Sequence, residues 1–277
     1  PKEGLQRMIL VLAPAKSMDT SAVSSEFALA GEPKALPQTN ELLKILKGHS
    51  ANELKSLMSL SPALATQEFQ RYKEWARAPT KSACLLMDGP AFKAFDGATL
   101  SPQERKEAQQ MVRIVSALYG PVRPFDAIKP HRLEMGLRLK NCKGSNLYDL
   151  WGHTIGEQVA QSAKVIVNVA SQEYWKSLPT ASLKGARVLT VDFPGPSVFA
   201  KRARGLICRF AVQAKCKKPE DLKAFAGTPA EGYMFDSKAS TADKFVFRRL
   251  AAGTVATKAV KAKPAAATTT LKRKRGE

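Results

Sequence analysis

Residues 113 to 140 hold the densest set of groups able to grip an anion. Arg113 is followed by Leu118-Tyr119-Gly120-Pro121-Val122-Arg123-Pro124 and then by His131-Arg132-Leu133-Glu134-Met135-Gly136-Leu137-Arg138-Leu139-Lys140. The stretch carries six Lys/Arg against Asp126 and Glu134. Guanidinium forks match phosphate oxygens, and a tight Gly/Pro bend exposes backbone N–H groups, so this pattern suits a phosphate contact. Gly120, Pro121 and Pro124 also do what Gly and Pro commonly do, which is to end a helix.

Other candidates lie further away along the chain. Lys16 and Ser17 come directly after an apolar run, and the carboxyl end of a strand is where open α/β sheets hold ligands. Lys16 has three readings: a phosphate contact, an exposed lysine at a strand end, or an amine that forms a Schiff base with a sugar aldehyde. Lys201, Arg202 and Arg204 fit a second cationic wall or a solvated helix face. Glu134 is most simply a structural acid paired with Arg132 or Arg138, and secondarily a general base; Asp19 and Asp192 carry the same ambiguity. Of Tyr119, Trp151, Tyr174 and Trp175, only Tyr119 is expected at the surface, because large aromatics usually fill cores. His49, His131 and His153 never fall at i, i+3 or i, i+4 spacing, so no metal cassette is read and no cofactor is expected.

The elements that must position these groups follow from patterning. Residues 8 to 13 read as a buried strand, and Leu42, Leu43, Ile45 and Leu46 mark a helix ending near Gly48. Ser50-Ala51-Asn52-Glu53 is a capping box, a third helix starts near Pro62, and Ser101-Pro102-Gln103-Glu104 opens a helix predicted to run to Ala117 and deliver the Gly120 bend. Asn146 caps a helix predicted through Ala163. Residues 165 to 170 and 187 to 193 read as strands, with Ser171 capping a short helix between them. Phe199, Ala203, Leu206, Ile207 and Phe210 define a helix, and residues 231 to 236 and 244 to 250 two late strands. The class is mixed α/β.

The formal charge is +20; residues 252 to 277 supply seven Lys/Arg against one acid, so +14 belongs to residues 1 to 251. A basic body favours polyanions such as DNA, RNA or an anionic membrane surface. The segment after Ala251 is mostly Ala, Thr and Lys with a single Pro, too poor in large apolar groups to order itself. Its Lys272-Arg273-Lys274-Arg275 cluster suits nuclear import or an extra phosphate contact. Cys84, Cys142, Cys208 and Cys216 lack C-x-x-C spacing, which suits reduced thiols inside a cell. No stretch approaches the roughly 20 apolar residues of a spanning helix. The expected organisation is a flexible leader over 1–7, one domain over 8–251 and a disordered basic tail over 252–277.

Taken together, the blocks Leu12-Ala13-Pro14-Ala15-Lys16-Ser17-Met18-Asp19, Leu118 to Pro124, His131 to Gly136, Asn146-Leu147-Tyr148, Trp151-Gly152, Asn168-Val169-Ala170-Ser171, Lys201-Arg202-Ala203-Arg204-Gly205 and Glu231-Gly232-Tyr233 resemble the YaaA family of peroxide-stress proteins, in order and over nearly all of residues 8 to 250. The resemblance implies a single-domain mixed α/β "cantaloupe" fold with a positively charged cleft and a helix-hairpin-helix element, for which residues 104 to 128 are the candidate. It also implies DNA binding and a role in limiting hydrogen peroxide damage linked to iron. The DNA contacts would then be Lys16, Ser17, Arg113, Tyr119, Gly120, Arg123, Arg132, Arg138, Lys201, Arg202 and Arg204, on duplex, bubble or damaged DNA. The expected protein is a monomeric, non-enzymatic, cytoplasmic DNA-binding protein. Competing readings are a glycosylase or lyase using Lys16, Asp19 and Glu134, and an iron-handling protein. Where bacterial members usually carry a Lys-Gly-Asp-x-Tyr-like segment, this chain reads Asp88-Gly89-Pro90-Ala91-Phe92. The basic tail also lies outside the common pattern and fits a eukaryotic member.

Overall fold

Five consecutive apolar residues leave β1 (Met8–Leu12) no face for water, and all five are buried. Neighbouring side chains of a strand point to opposite faces. Met8, Leu10 and Leu12 therefore enter one core cluster, and Ile9 and Val11 another. The computed structural model of the protein describes residues 8–22, 30–34, 36–161 and 163–251. The leader over 1–7 and the tail after Ala251, with its Lys-Arg cluster, lie outside the described residues.

After β1 come α1 (Pro37–Lys47), α2 (Ala51–Met58), α3 (Pro62–Lys73), β2 (Lys81–Ser82), α4 (Ala83–Leu86), α5 (Pro90–Phe95), α6 (Pro102–Met111), β3 (Val112–Ser116), β4 (Gly120–Val122) and β5 (Ala127–Ile128). The second half adds α7 (Leu147–Trp151), α8 (Thr154–Ala160), β6 (Val165–Asn168), α9 (Gln172–Trp175), β7 (Arg187–Asp192), α10 (Ser197–Gln213), β8 (Gly227–Thr228), β9 (Glu231–Phe235) and β10 (Lys244–Arg249). An eight-stranded sheet runs in the order β4-β3-β1-β6-β7-β10-β9-β8. From β3 to β10 the neighbours are parallel, while β4, β9 and β8 pair antiparallel. The chain is thus a mixed α/β single domain built on a large, mostly parallel sheet. One face packs under α5, α6 and α10 through Phe92, Phe95, Ala108, Ala203 and Ile207. The other is covered by α1, α2, α3, α7 and α8 through Leu42, Leu54, Tyr72, Leu147, Trp151 and Ile155.

Local signals explain the helix starts. Ser50 and Ser101 each complete a capping box with a glutamate three residues on, satisfying N–H groups a helix leaves open. Three expectations need correction. The helix from Ser101 stops at Met111 rather than Ala117, and Val112–Ser116 is a strand. Val112, Ile114 and Val115 are β-branched, and β3, paired with β1 on one side and β4 on the other, buries all three, so tertiary pairing overrides the helical start signal. Residues 104 to 128 consequently form most of α6, then β3, a tight turn, β4 and β5, and build no helix-hairpin-helix. The helix expected from Asn146 through Ala163 is split, because Gly152 adopts φ +48 and closes α7 before α8 begins, a geometry open to glycine.

Candidate anion-binding site

The loops leaving β1 and β6, together with α10, surround a cavity of ≈ 300 Å³ at the carboxyl ends of the parallel strands. Lys16, Ser17, Lys201 and Arg204 line it, with Pro90, Phe92 and Tyr174 among its apolar and aromatic walls. Lys201 and Arg204 are one helical turn apart and so share a face of α10. Arg202 sits off that face and donates from Nε to Glu231 on β9 at 2.7 Å. It does not line the cavity. Arg204 forms no ion pair among the described residues, and its Nε is buried without a hydrogen-bond partner. Burial presses the Arg204 guanidinium downward in pKa, with Asp192 opposing weakly. A guanidinium removed from water without an acceptor is costly, and an anion supplied from outside would relieve that cost.

Beside the cavity, the Glu134 carboxylate pairs with the Lys16 ammonium and lies 3.5 Å from the Arg132 Nη2. A recess of ≈ 10 Å³ connects this pair to Ser116 and His131. The loop carrying Arg132 is held from below. The Tyr72 hydroxyl donates to the Arg132 carbonyl at 2.8 Å. His131 places Nδ1 2.8 Å from the Lys129 carbonyl and Nε2 3.3 Å from Ser116 Oγ. Nδ1 therefore carries the proton and Nε2 accepts from the serine. Ser116 Oγ in turn accepts from the N–H groups of Leu118 and Tyr119, both at 3.2 Å. Burial lowers His131 to about 4, so it stays neutral and structural at neutral pH. Like Arg204, Arg132 has a buried Nε with no partner.

Not every expected contact joins this site. Arg113 is buried, its Nη1 donating to the carbonyls of Gln109, Gln110 and Val112. Arg113 and Arg123 line a different cavity, of ≈ 360 Å³, with Asp126, Gln158 and Gln161. The register explains the separation: Arg113 pairs with Val11, near the start of β3, and antiparallel β4 returns Arg123 to the same end. They stand at the amino ends of the strands, opposite Lys16. Gly120 is buried at φ +72, where an added Cβ would meet the Trp151 ring at 3.1 Å, so its backbone makes a turn against the core. Tyr119 is half-buried rather than exposed; its hydroxyl accepts from Lys129 N at 3.1 Å, and burial pushes it up to about 12. Arg138 is exposed and does not line the carboxyl-end cavity. Asp19 is also separate, pairing with Lys81 at 3.2 Å. Hydrogen bonds from Ser21 hold the Asp19 carboxyl down to about 2. Of the three groups weighed for lyase chemistry, only Lys16 and Glu134 meet.

The structure adds residues to the site that the sequence did not offer as contacts. Asp88 to Phe92, the segment departing from the bacterial pattern, forms one wall of the cavity, and Ser171, Glu173 and Tyr174 form another. Asp88 pairs with Lys93 at 3.0 Å and Glu173 accepts from Gly136 N at 3.0 Å, so both acids have partners outside the cavity. The available signal was positional: Ser171 follows β6 as Lys16 follows β1. Among the described residues, no three His, Cys, Asp or Glu side chains group as a metal site.

Comparison with known proteins settles the ancestry. The family model described as peroxide stress protein YaaA matches residues 8–239. The chain belongs to the YaaA family of peroxide-stress proteins. A UPF0246 protein of Bordetella petrii is 42% identical over 262 residues, 88% of this chain and 100% of the relative. A Bordetella pertussis UPF0246 protein is 43% identical over 260 residues, 87% and 99% of the two chains. One from Burkholderia mallei is 39% identical over 263 residues, 88% and 99%. The family model thus spans most of the described body, and the carboxyl-end site lies entirely within its matched range. Among the described residues, no helix is long and apolar enough to cross a membrane.

Proposed function

We propose that this YaaA-family member binds DNA through phosphate contacts at the carboxyl-end site, and that this binding limits peroxide- and iron-dependent damage. The observation that carries the reading is the convergence of Lys16, Arg132, Lys201 and Arg204 on adjoining cavities, with two guanidinium Nε atoms left unpartnered. A chain of net charge +20 supplies the long-range attraction, and the site supplies fixed donors. Phosphate contacts carry little sequence information, so matched, bubble and damaged duplexes are all candidate ligands. The proposed contact set is narrower than the sequence implied, because Arg113 and Arg123 line a cavity at the other end of the strands and Gly120 is buried in a turn.

The test compares single alanine variants in fluorescence anisotropy with a labelled duplex. Lys201→Ala and Arg132→Ala are expected to weaken binding to unrelated sequences alike, by about tenfold if each contact contributes about 1.4 kcal/mol. Arg123→Ala is expected to change affinity less than twofold. Equal losses in all three variants would place DNA elsewhere on the surface.

A further inference from the structure

We infer that the carboxyl-end cavity takes one nucleoside monophosphate, as a free molecule or as a single nucleotide extruded from a strand. The phosphate would meet Arg204 and Lys16, and the nucleoside would lie against Phe92, Pro90 and Tyr174. The inference deepens the phosphate-binding reading of this site and rests on it.

Size is the first reason. A cavity of ≈ 300 Å³ stands at the small end of pockets that enclose a small molecule. A duplex cannot enter such a space, whereas one residue of a strand can, once it leaves the stack. The second reason is the supply of unused donors. Arg204 has its unpartnered Nε, Lys201 has no ion pair among the described residues, and Ser171 sits in N-cap geometry on α9 without a side-chain cap bond. Charge-assisted hydrogen bonds from such groups suit a phosphate group, the dianion of a free monophosphate or the diester anion of a strand. The third reason is the rest of the lining, where Leu12, Pro90, Phe92 and Tyr174 present carbon surface to a body that is neither charged nor small. Asp88 and Glu173 also line the cavity; one oxygen of each is engaged outside the lining, by Lys93 and by Gly136 N. A bare inorganic anion would use the donors and leave the apolar wall unpaired.

The full chain is titrated calorimetrically with deoxyadenosine monophosphate, with deoxyadenosine and with inorganic phosphate. In parallel, anisotropy compares a matched duplex with the same duplex carrying one unpaired adenosine. Arg204→Gln is the main variant, and the exposed Lys16→Gln replaces it if Arg204→Gln does not fold. Binding of the free monophosphate at least tenfold tighter than deoxyadenosine or phosphate, lost at least tenfold in the variant, supports a free nucleotide as ligand. A preference for the unpaired duplex that the variant abolishes, with matched-duplex affinity reduced far less, supports an extruded nucleotide. The inference is overturned if the wild type neither binds the monophosphate nor prefers the unpaired duplex, or if the variants leave both unchanged. Loss of matched-duplex binding in the wild type would count against the DNA reading alone, since the free monophosphate does not depend on it.

Discussion

Gly205→Ala tests the packing that builds the cavity. A Cβ added at Gly205 on α10 would lie 1.9 Å from the Ala91 carbonyl oxygen, 2.7 Å from its carbon and 3.0 Å from its Cα. All three are backbone atoms of α5, so no side-chain rotation relieves the clash. An ordinary C···O approach is about 3.3 Å, so the helices must part by about 1.4 Å. Overpacking of this kind costs about 1–3 kcal/mol, and the rigid neighbour argues for the upper end. Alanine returns about 1 kcal/mol through its better helix propensity. The net loss should therefore be about 2 kcal/mol, equivalent to a fall in Tm of about 4–8 °C in a domain of this size. Because Ala91 and Arg204 both line the cavity, the separation should also weaken binding of anions there. Urea denaturation and thermal melting measure the first effect, with Lys201→Ala as a solvent-facing control on the same helix. A variant as stable as the wild type would refute the close approach of α10 to α5 and, with it, the shape assigned to the cavity.

Other expectations follow from the same contacts. Gly120→Ala places a side chain at φ +72 against Trp151 and Leu36 and should cost about 2 kcal/mol, while leaving the salt dependence of DNA binding unaltered; a stable variant with a changed salt slope would restore Gly120 to the interface. His131, held neutral by burial with its pKa lowered to about 4, protonates far more readily when unfolded, where its ordinary value is 6.5. Its contribution is therefore full above pH 6.5 and is lost as pH falls toward 4, by about 2 kcal/mol between pH 7 and pH 5. Denaturation of wild type and His131→Gln at both values checks this, and equal acid sensitivity would remove His131 as the cause. Cys142 Sγ–H donates to Glu41 Oε2 at 2.8 Å, and that hydrogen bond raises the thiol pKa. Glu41→Gln should speed iodoacetamide alkylation of Cys142 at pH 8 several-fold, as read by mass spectrometry; an unchanged rate would mean that this contact does not govern the thiol.

Much of the fold is legible in the sequence because the relevant signals are local. The apolar run at residues 8 to 12, the capping boxes at Ser50 and Ser101 and the helical stripe from Phe199 to Phe210 each define an element without help from the rest of the chain. The failures occur where a distant partner decides. Residues 112 to 116 follow a strong helix start, yet pairing with β1 buries their β-branched side chains more completely than another helical turn would. Lys16 was readable as a strand-end cation. Its meeting with Glu134, 118 positions away in sequence, depended on how the 129–134 loop is fastened to Tyr72 and Ser116. Density of charge along the chain was the misleading signal, because Arg113, Arg123 and Arg132 are near in sequence but leave the sheet at opposite ends. Conversely, Asp88 to Phe92 and Ser171 to Tyr174 carry little charge of one sign, so nothing in the sequence marks them as site residues, although they shape the cavity.

The salt dependence of duplex binding reaches the central claim most directly. If Lys16, Arg132 and Lys201 each neutralise one duplex phosphate at the mouth of the site, with Arg204 inside the cavity, the plot of log affinity against log salt should be linear with a slope of about −2.7. Alanine at Lys201 should reduce the slope by about 0.9, and alanine at Arg123 should leave it where it was. A flat response, or a slope that changes with Arg123 and not with Lys201, would contradict a carboxyl-end phosphate site.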